Sequence, residues 1–451
     1  MQESFITPTS TSPLEDWLQY AERINEKPIE LGLARMREMI SRLGIHFDCP
    51  VFTVAGTNGK GSTCAMLEAI LRKGGYRVGM HTSPHLVRFN ERAVIDGKEA
   101  TDASLSQAFA RVEAVRKGLP LTYFEFTGLA ILSLFSESHL DAVILEIGLG
   151  GRLDAMNAID TDCGIVCALG IDHTAYLGST REAIAAEKAC IYRSGHPAIL
   201  SDRDAPKSLV AYAEKIGAPL SRYGLDFETA EHGDTFDFSF GKFSFLGLKK
   251  PALRGENQVQ NAAGVLAALL SLAERLPITR TAIEEGLKSA YMPGRFEVFH
   301  LASLKDVPIY LDVGHNPQAA SVLRENITQT ARTGEKLFAV FAMLKDKDIA
   351  TVARTMAPLI DHWFIAPLGG LRGADLAILT ERLNKAQVEN EKTTAFPSVD
   401  AALRAAIAAS RQATERPVRI LVFGSFVTVG AAVSSLRTLG ASSEEDSRHA
   451  R

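Results

Sequence analysis

The sequence has little of what marks a secreted, disulfide-bonded or membrane-spanning protein. Its 451 residues contain five cysteines, an odd number without CxxC spacing, which argues against a disulfide framework and against a cysteine-based zinc site. Cys163 and Cys167 lie in an apolar run, as reduced core cysteines do. The longest apolar runs, Phe126–Phe135 and Gly264–Ala273, have about ten residues, too short to cross a bilayer. The first residues lack the basic and apolar regions of a signal peptide.

Charge of one sign is also scarce. The formal net charge is -4, which gives no electrostatic reason to expect nucleic acid or an anionic membrane surface. The fractions of hydrophobic residues, 46%, and of charged residues, 23%, are those of an ordinary globular protein. We therefore expect a soluble, cytoplasmic protein of two or three domains, in which any bound anion is held by a local cluster.

Short β-branched runs alternate with helical patterns, which predicts an α/β fold with mostly parallel sheets. A Pro293-Gly294 turn divides the chain into a domain of residues 1–293 and a second of residues 294–440. Alternating phenylalanines between Arg222 and Pro251 predict a small antiparallel flap. Residues 441–451 are polar, and we expect a disordered tail there. The predicted strands are Val51–Ala55, Arg77–Met80, Ala142–Ile147, Cys163–Leu169, Ala198–Ser201, Pro308–Asp312, Phe338–Phe341, His362–Ala366 and Arg419–Phe423.

A glycine-rich loop, Gly56–Thr63, joins the first predicted strand to a helix. Its three glycines let backbone N–H groups turn toward an anion, and the helix N-terminus adds partial positive charge. Lys60 supplies a mobile cation for the β and γ phosphates of a nucleotide. The pattern departs from the usual Walker A motif, because Gly61 follows the lysine and Val54 replaces the first glycine. A plain βα turn is the alternative, but Lys60 followed by Ser62-Thr63 favours ATP with magnesium.

Three side chains able to bind a metal lie at the ends of predicted strands: Ser83, Glu146 and His173. Ligands of open parallel sheets collect at the carboxyl ends of the strands. Glu146 stands in an apolar run, where a carboxylate needs a cation or hydrogen-bond donors. Oxygen ligands of this kind suit Mg²⁺. Taken singly, Ser83 would be a turn residue and His173 a surface histidine.

Together these motifs resemble the folylpolyglutamate synthase/dihydrofolate synthase family of the Mur ligase superfamily. The resemblance extends from Leu14 to about Gly430. It implies a P-loop-type ATPase domain with a mostly parallel sheet, which binds ATP and pterin, and a second, smaller Rossmann-like glutamate ligase domain. The segments that carry it are Gly56–Thr63, Thr82–Leu86, Phe89–Arg92, Leu145–Asp154, Asp172–Thr174, Glu187-Lys188, Gly255–Gln258, Asn261–Ala263, Pro293–Arg295 and Asp312–Pro317.

The resemblance also implies roles for single positions. Lys60, Lys188 and His173 would be catalytic, and two Mg²⁺ ions would be held by Ser83, Glu146, His173 and a carbamylated Lys188. The residues implied to contact ATP are Thr57, Asn58, Gly59, Lys60, Gly61, Ser62, Asn257, Arg295, Asp312 and His315. The pterin or folate would meet Gly32, Leu33, Thr122, Tyr123, Phe124, Glu125, Leu153, Asp154 and Ala155. Without the resemblance, Lys188 would be interpreted as a surface lysine on a helix.

The implied reaction adds L-glutamate to dihydropteroate and to tetrahydrofolates through an acyl phosphate, with a monomeric enzyme as the expected form. The pterin elements favour both activities over polyglutamylation alone. No base for the glutamate amine follows from the sequence, although His315 and His173 are candidates. Two positions depart from the family pattern: Val313-Gly314 replaces Gly-Ala, and Met156 replaces a threonine, which would remove a polar contact near the folate.

Three other functions compete with this interpretation. A cell-wall ligase would need a uridine-binding region, whereas Trp17–Met36 leads almost directly into the phosphate loop. A P-loop kinase would leave Gly148–Asp154 and the second domain unexplained. A non-catalytic nucleotide-binding regulator would have lost a magnesium ligand or Lys60, and all of these are present.

Replacing Lys60 tests the phosphate loop. We expect Lys60→Ala to lose several orders of magnitude in turnover while keeping its fold, because the lysine acts on phosphates and not in the core. Steady-state phosphate release and a thermal unfolding curve measure the two properties. Normal turnover in this variant would overturn the assignment of the loop.

Overall fold

The computed structural model of the protein describes residues 7–25, 30–304, 306–413 and 416–444. Their contacts divide the chain into two compact units, of which the first comprises the chain up to Ala252 together with Gln258–Ala290. The second comprises Leu253–Asn257 and the chain from Tyr291 onward. The break after Ala290 lies close to the predicted Pro293-Gly294 turn. Sequence patterns did not predict that Leu253–Asn257 groups with the second unit.

An eight-stranded, mostly parallel sheet is the framework of the first unit. Its strands follow the order β4-β3-β2-β5-β1-β6-β7-β8. The β2–β3 and β3–β4 pairs are antiparallel, and the other pairs are parallel. Every residue of β1, β5 and β6 is buried, as expected for central strands covered on both faces. The strands are β1 (Val51–Ala55), β2 (Val78–His81), β3 (Ala93–Ile95), β4 (Lys98–Glu99), β5 (Ala142–Glu146), β6 (Cys163–Val166), β7 (Ala198–Leu200) and β8 (Leu220–Arg222).

The predicted strands of this unit are confirmed, with small differences at their ends. The largest concerns β6, which ends at Val166 and not at Leu169. Cys167 N–H still donates to the Ala55 carbonyl of β1 at 2.7 Å, but the next residue bonds to the phosphate loop, since the Ala168 carbonyl accepts from Thr57 N–H at 2.8 Å. The end of β6 is thus set by a tertiary contact.

The helices of the first unit cover its sheet or precede it. Several begin where a threonine side chain accepts a backbone N–H group, as at Thr101, Thr122 and Thr180. They are α1 (Leu14–Ala21), α2 (Ala34–Leu43), α3 (Lys60–Lys73), α4 (Asp102–Arg116), α5 (Tyr123–Ser136), α6 (Thr174–Leu177), α7 (Arg181–Ala189), α8 (Lys207–Ile216), α9 (Asn257–Ser271) and α10 (Arg280–Ser289), with 3₁₀ turns at Phe89–Arg92 and Ala155–Ala158. No helix among the described residues is long and apolar enough to cross a membrane.

The predicted flap is confirmed as a separate three-stranded antiparallel sheet. It consists of β9 (Phe227–His232), β10 (Thr235–Phe240) and β11 (Phe243–Lys249), with β10 in the middle. Phe236 and Phe238 are buried while the residues between and beside them are partly exposed, which is the period-two pattern of a strand with one covered face.

The second unit has a seven-stranded sheet in the order β16-β15-β14-β17-β13-β12-β18. Its strands from β16 to β13 pair in parallel, and β12 and β18 add an antiparallel edge. The strands are β12 (Glu297–His300), β13 (Ile309–Asp312), β14 (Lys336–Phe341), β15 (His362–Ile365), β16 (Thr393–Ala395), β17 (Val418–Phe423) and β18 (Ser442–Ser443). The helices are α11 (Pro317–Gln329), α12 (Ile349–Met356), α13 (Leu376–Lys385), α14 (Val399–Gln412) and α15 (Phe426–Thr438), with 3₁₀ turns at Ala357–Leu359 and Asn390–Lys392.

The polar segment expected to be a disordered tail begins with ordered residues. Ser442 and Ser443 form β18 against β12, and the Glu444 carboxylate lies 2.6 Å from Arg254 and 3.2 Å from His300. The composition of residues 441–444 did not reveal these partners, because they come from distant parts of the chain. Residues 445–451 of the expected tail lie outside the described residues.

Candidate active site

The phosphate loop leaves β1 at its carboxyl end and enters α3 at Lys60. Gly59 caps the helix with φ +89°, a left-handed conformation that glycine adopts without strain. The Thr57 side chain fastens the loop to the segment after β6, since its hydroxyl donates to the Gly170 carbonyl at 2.9 Å. The first N–H groups of a helix have no partners within the helix, so the N-terminus of α3 can bind an anion.

Lys60 folds back over this loop. Its Nζ donates to the carbonyl oxygens of Gly56 at 3.1 Å and Thr57 at 3.3 Å. The ammonium group therefore lies beside the loop whose backbone N–H groups would surround a phosphate. Its contact with the β and γ phosphates stays a prediction.

Two residues of α9 support the loop from the side of the helix. The Asn261 amide donates to Gln258 Oε1 at 3.1 Å, and Gln258 Nε2 lies 3.4 Å from Ser62 Oγ. A Cβ atom on Gly59 would lie only 2.7 Å from Asn261 Oδ1, so the two segments are in close contact. Sequence reasoning gave these side chains no role, although both belong to the quoted family segments. Asn257, the expected ATP contact, begins α9.

Glu146 ends β5, the strand beside β1, and only 4% of its surface is exposed. Its Oε2 accepts the backbone N–H of Ser83 at 2.9 Å. The structure thus brings together two of the predicted metal ligands, from the ends of neighbouring strands. Their oxygen atoms are the kind that Mg²⁺ prefers.

A buried arginine next to Glu146 was missed by sequence reasoning. Arg92 Nε donates to His85 Nδ1 at 2.8 Å, and its guanidinium lies 5.9 Å from the Tyr123 ring centre. Burial lowers the pKa of Arg92, while Tyr123 and Glu146 raise it. Burial is the main cause that lowers the pKa of His85 to about 4, and the charge of Arg92 is the second. This imidazole is therefore neutral at pH 7. The Phe89–Arg92 segment had been noted only as part of the resemblance.

His173 follows the end of β6 and precedes α6. It has φ +52°, a left-handed conformation that is uncommon for a residue with a side chain. Its backbone N–H donates to Asp172 Oδ1 at 2.8 Å, and its Nε2 lies 4.0 Å from Asp172 Oδ2. The imidazole is about one-third exposed, with a side-chain accessibility of 34%. The Asp172 carboxylate thus lies beside the predicted metal ligand His173.

Lys188 is buried in the last turn of α7, with 5% of its surface exposed. Its Nζ lies 3.5 Å from the Gly150 carbonyl oxygen. Burial, followed by the positive charge of Lys60, lowers the pKa of Lys188 to about 7, although Asp172 and Asp154 act in the opposite direction. The interpretation of Lys188 as a surface lysine, which the sequence alone favours, is wrong. The lowered pKa favours the neutral amine of Lys188 over its ammonium form, relative to a lysine in water.

The loop between β5 and the 3₁₀ turn at Ala155–Ala158 is shaped by Asp154. Its carboxylate accepts the backbone N–H groups of Gly148, Leu149 and Met156 at 2.8–3.1 Å. Burial raises the pKa of Asp154 to about 6, while these three N–H groups lower it. The Asp154 carboxylate therefore accepts its hydrogen bonds from the loop itself.

The secondary-structure elements that follow the three predicted pterin segments pack on one another. Helix α2, which follows Gly32 and Leu33, contacts both α5 and the 3₁₀ turn that begins at Ala155, and these two also contact each other. The Phe124 ring is half-buried and lies 6.2 Å from the ring of His81. A Cβ on Gly148 would lie 2.8 Å from its Cζ, so only a glycine permits the ring to lie this close. Tyr123 and Leu153 are also partly exposed.

Met156, where the family pattern has threonine, is fully buried against Gly128. Its side chain therefore packs in the core of the first unit. Gly128 follows Phe124 by one turn of α5, so we infer that the substitution changes core packing against this helix.

The second unit contains its own group of predicted site residues at the end of β13. Asp312 accepts the N–H groups of Phe296 at 3.0 Å and Gly314 at 2.8 Å. Burial raises the pKa of Asp312, and the charge of Arg295 opposes this. The Arg295 guanidinium lies 5.1 Å from the centre of the Phe426 ring, and the His315 ring lies 6.3 Å from the same ring. Arg295, Asp312 and His315 are thus neighbours.

Comparison with known proteins gives consistent matches along the chain. The sequence matches the Mur ligase middle domain over residues 54–269 and the Mur ligase glutamate ligase domain over residues 294–426. It is 40% identical over 425 residues to the dihydrofolate synthase/folylpolyglutamate synthase of Escherichia coli strain K12, which covers 94% of this chain and 95% of that protein.

Solved structures are similar over nearly the same length. The structure of E. coli FolC in complex with DHPP and ADP has a TM-score of 0.88 at 39% identity, covering 96% of this chain and 99% of that chain. A bifunctional folylpolyglutamate synthase/dihydrofolate synthase with Mn, AMPPNP and L-glutamate bound has a TM-score of 0.86 at 40% identity, covering 96% and 100%.

Two glycines at opposite ends of α3 provide a matched test of the phosphate loop. Gly59 has φ +89° and Gly75 has φ +87°, so alanine costs about 1–2 kcal/mol of backbone strain at either position. Only at Gly59 would the added methyl group press on Asn261 Oδ1, whereas nothing lies within 4 Å at Gly75. We expect Gly59→Ala to weaken ATP binding roughly tenfold or more, and Gly75→Ala to lower stability alone.

Calorimetric ATP titration and thermal unfolding of both variants separate the two effects. Equal loss of affinity in both, or unchanged affinity in Gly59→Ala, would contradict the assignment of this loop to phosphate binding.

Proposed function

The chain belongs to the dihydrofolate synthase/folylpolyglutamate synthase family of the Mur ligases, and from this premise we propose how its own residues carry out the reaction. It is an ATP-dependent carboxylate–amine ligase that adds L-glutamate to dihydropteroate and to tetrahydrofolates. A carboxylate is a poor acyl donor because oxide is a poor leaving group. Transfer of the γ-phosphoryl group of ATP to it gives an acyl phosphate, which the amine of glutamate attacks with release of phosphate.

One observation carries the assignment of the reacting site. Lys188 is buried near Lys60, at the edge of the sheet where β5 and β1 end beside Glu146. Burial and the charge of Lys60 both disfavour the ammonium form of Lys188, and an anion bound between the two lysines would relieve the repulsion. The phosphates of ATP provide one such anion.

We assign the nucleotide to the loop and helix start at Thr57–Ser62, with Lys60 on its β and γ phosphates. This assignment is supported by the left-handed Gly59 and by the fold of Lys60 over the loop. The residues Asn257, Arg295, Asp312 and His315 are proposed as further nucleotide contacts. For Arg295 and Asp312 the support is their mutual charge interaction at the end of β13.

We propose that two Mg²⁺ ions are held by Ser83, Glu146 and His173, with Lys188 completing the site. Among the described residues no three His, Cys, Asp or Glu side chains form a metal-binding group. Mg²⁺ keeps several waters and bridges phosphates, so one carboxylate at Glu146 fits it where a structural zinc would not. When bound, the metal neutralises charge on the phosphates during transfer.

We propose that Lys188 is carbamylated, and its burial and lowered pKa support this. A neutral amine adds to the carbon of CO₂ and loses a proton, which leaves an N-carboxylate. Since the pKa of Lys188 is lowered to about 7, much of the amine is in the reactive neutral form at neutral pH. The product places a negative charge beside Lys60 and removes the repulsion between the two cations.

The acceptor is proposed to bind along Gly32, Leu33, Thr122, Tyr123, Phe124, Leu153 and Ala155. The half-buried Phe124 ring offers a flat apolar face for the pterin. Asp154 and Glu125, also expected to bind the acceptor, already accept several hydrogen bonds within the protein. We propose that these two carboxylates shape the site instead.

We further propose a monomer acting in the cytoplasm, with His315 and His173 as candidate bases for the glutamate amine. Light scattering at two protein concentrations tests the oligomeric state, since a monomer keeps one molar mass at both.

Phosphate release with each acceptor separately tests the proposed function. We expect turnover with dihydropteroate and with tetrahydrofolate, in each case only when ATP, Mg²⁺ and L-glutamate are all present. Turnover with tetrahydrofolate but not with dihydropteroate would restrict the enzyme to polyglutamylation, which is the second candidate function. ATP hydrolysis that does not depend on glutamate would contradict the ligase assignment and favour a nucleotide-binding regulator.

Lys188→Ala tests the proposed carbamate. We expect a large loss of Mg²⁺-dependent turnover that small carboxylates such as acetate partly restore, because they can occupy the space and supply the missing oxygen ligand. Lys215→Ala, at the exposed end of α8, is the control and should behave as the wild type.

The carbamate itself can be observed by ¹³C NMR after incubation with ¹³C-labelled bicarbonate. Its signal should be stronger at about pH 8 than at about pH 6, because the neutral amine increases as pH rises through a pKa of about 7. A wild-type spectrum without this signal, together with full turnover in Lys188→Ala, would rule the carbamate out.

A further inference from the structure

Glu125 has its hydrogen-bonding capacity occupied by protein groups. Oε2 accepts the backbone N–H of Thr122 at 2.8 Å and its hydroxyl at 3.0 Å. Arg35 Nε lies 3.1 Å from Oε1 and 3.2 Å from Oε2, and Arg35 Nη2 lies 3.0 Å from Oε1. Only 3% of the residue is exposed. A carboxylate with this many donors has little capacity left for a ligand.

Arg35 also binds the chain on its other side. Its Nη2 donates to the Glu30 carbonyl at 2.7 Å, and its Nη1 lies 3.2 Å from Glu30 Oε2. The guanidinium therefore closes residues 30–35 into a loop and fastens that loop to the start of α5. Within it, Gly32 is partly exposed and Leu31 presents an apolar side chain that is 40% exposed.

The start of α5 holds the aromatic part of the same surface. Thr122 and Glu125 form a capping box that fixes the first turn, in which Tyr123 and Phe124 lie. Phe124 packs against Gly148, in the loop that leads to Leu153. A single ion pair thus connects the 30–35 loop with the turn that carries Phe124.

We infer that Arg35 is a positioning residue for the pterin-type acceptor, acting through Glu125. The inference deepens the proposed function and rests on it. Arg35 fixes the 30–35 loop relative to the turn that carries Phe124, and it takes no part in phosphate transfer. A planar guanidinium suits this task, because it binds a carboxylate with two parallel hydrogen bonds and fixes its orientation.

Glu125→Gln is the informative variant. Glutamine can keep the capping box with Thr122, so the start of α5 should persist. It removes the charge that holds Arg35, and the 30–35 loop should loosen. Arg35→Lys retains the positive charge but not the two-pronged geometry, and we expect an intermediate effect. Arg35→Ala combined with Glu125→Gln removes both charges and avoids an unpaired buried carboxylate.

Arg42→Ala is the matched control. Arg42 lies in the same helix as Arg35 and donates to the carbonyl groups of Val115 at 2.9 Å and Arg116 at 2.7 Å. It therefore also fastens α2 to a neighbouring segment, but away from Thr122–Glu125. A general loosening of α2 would appear in this variant too.

The experiment measures direct binding of dihydropteroate and of ADP to each variant by calorimetry, together with KM and kcat. We expect the acceptor Kd and KM to rise roughly tenfold or more in Glu125→Gln, the change that follows from losing a hydrogen bond to a charged group. ADP binding and the KM for ATP should stay close to the wild-type values in both Arg42→Ala and Glu125→Gln. The unfolding temperatures of these two variants should be close to each other. Arg42→Ala should bind the acceptor as the wild type does.

The outcomes separate this inference from the proposed function. Unchanged acceptor binding in Glu125→Gln, or an equal weakening of ADP binding, would overturn the role of Arg35 while the wild type still binds dihydropteroate. An equal loss of acceptor binding in Arg42→Ala would also overturn it, since the effect would then belong to α2 as a whole. A wild type that binds no pterin acceptor would overturn the proposed function and this inference together.

Discussion

Lys60 and Lys188 lie close enough for the charge of one to lower the pKa of the other, in a part of the first unit where one of them is buried. Two neighbouring cations with little water around them repel, and the repulsion is relieved when one loses its proton or when anions lie nearby. Around this pair lie Glu146, Asp154 and Asp172, together with a helix N-terminus that can bind an anion. The strands β1, β5 and β6 and the helix α7 position these charged residues.

The sheet provides that support through the adjacency of its strands. β5, β1 and β6 are neighbours, so the segments that leave their carboxyl ends meet although they are far apart in sequence. The loop after β1 carries Lys60, β5 ends in Glu146, and the segment after β6 leads to His173. Helix α7 then brings Lys188 to the same edge, where the Gly150 carbonyl oxygen faces its amine.

The acceptor side depends on different interactions, most of them within the protein. Asp154 and Glu125 look like ligands in the sequence, yet each accepts several hydrogen bonds from its own chain. Such carboxylates fix the shape of the surface on which the half-buried Phe124 ring lies. In the function that we propose, charge would therefore act directly on the phosphates and indirectly on the pterin.

Local sequence determined the strands, the flap, the phosphate loop and the positions of Ser83, Glu146 and His173 at strand ends, because periodicity and glycine spacing are local properties. The tertiary structure decided the rest. It buried Lys188 and placed Met156 in the core. It also directed hydrogen bonds from Thr122 and Arg35 to the Glu125 carboxylate and paired Ser442-Ser443 with β12. These outcomes depend on partners supplied by distant segments: burial, pKa and hydrogen-bond saturation are properties of a neighbourhood that exists only after the chain has folded.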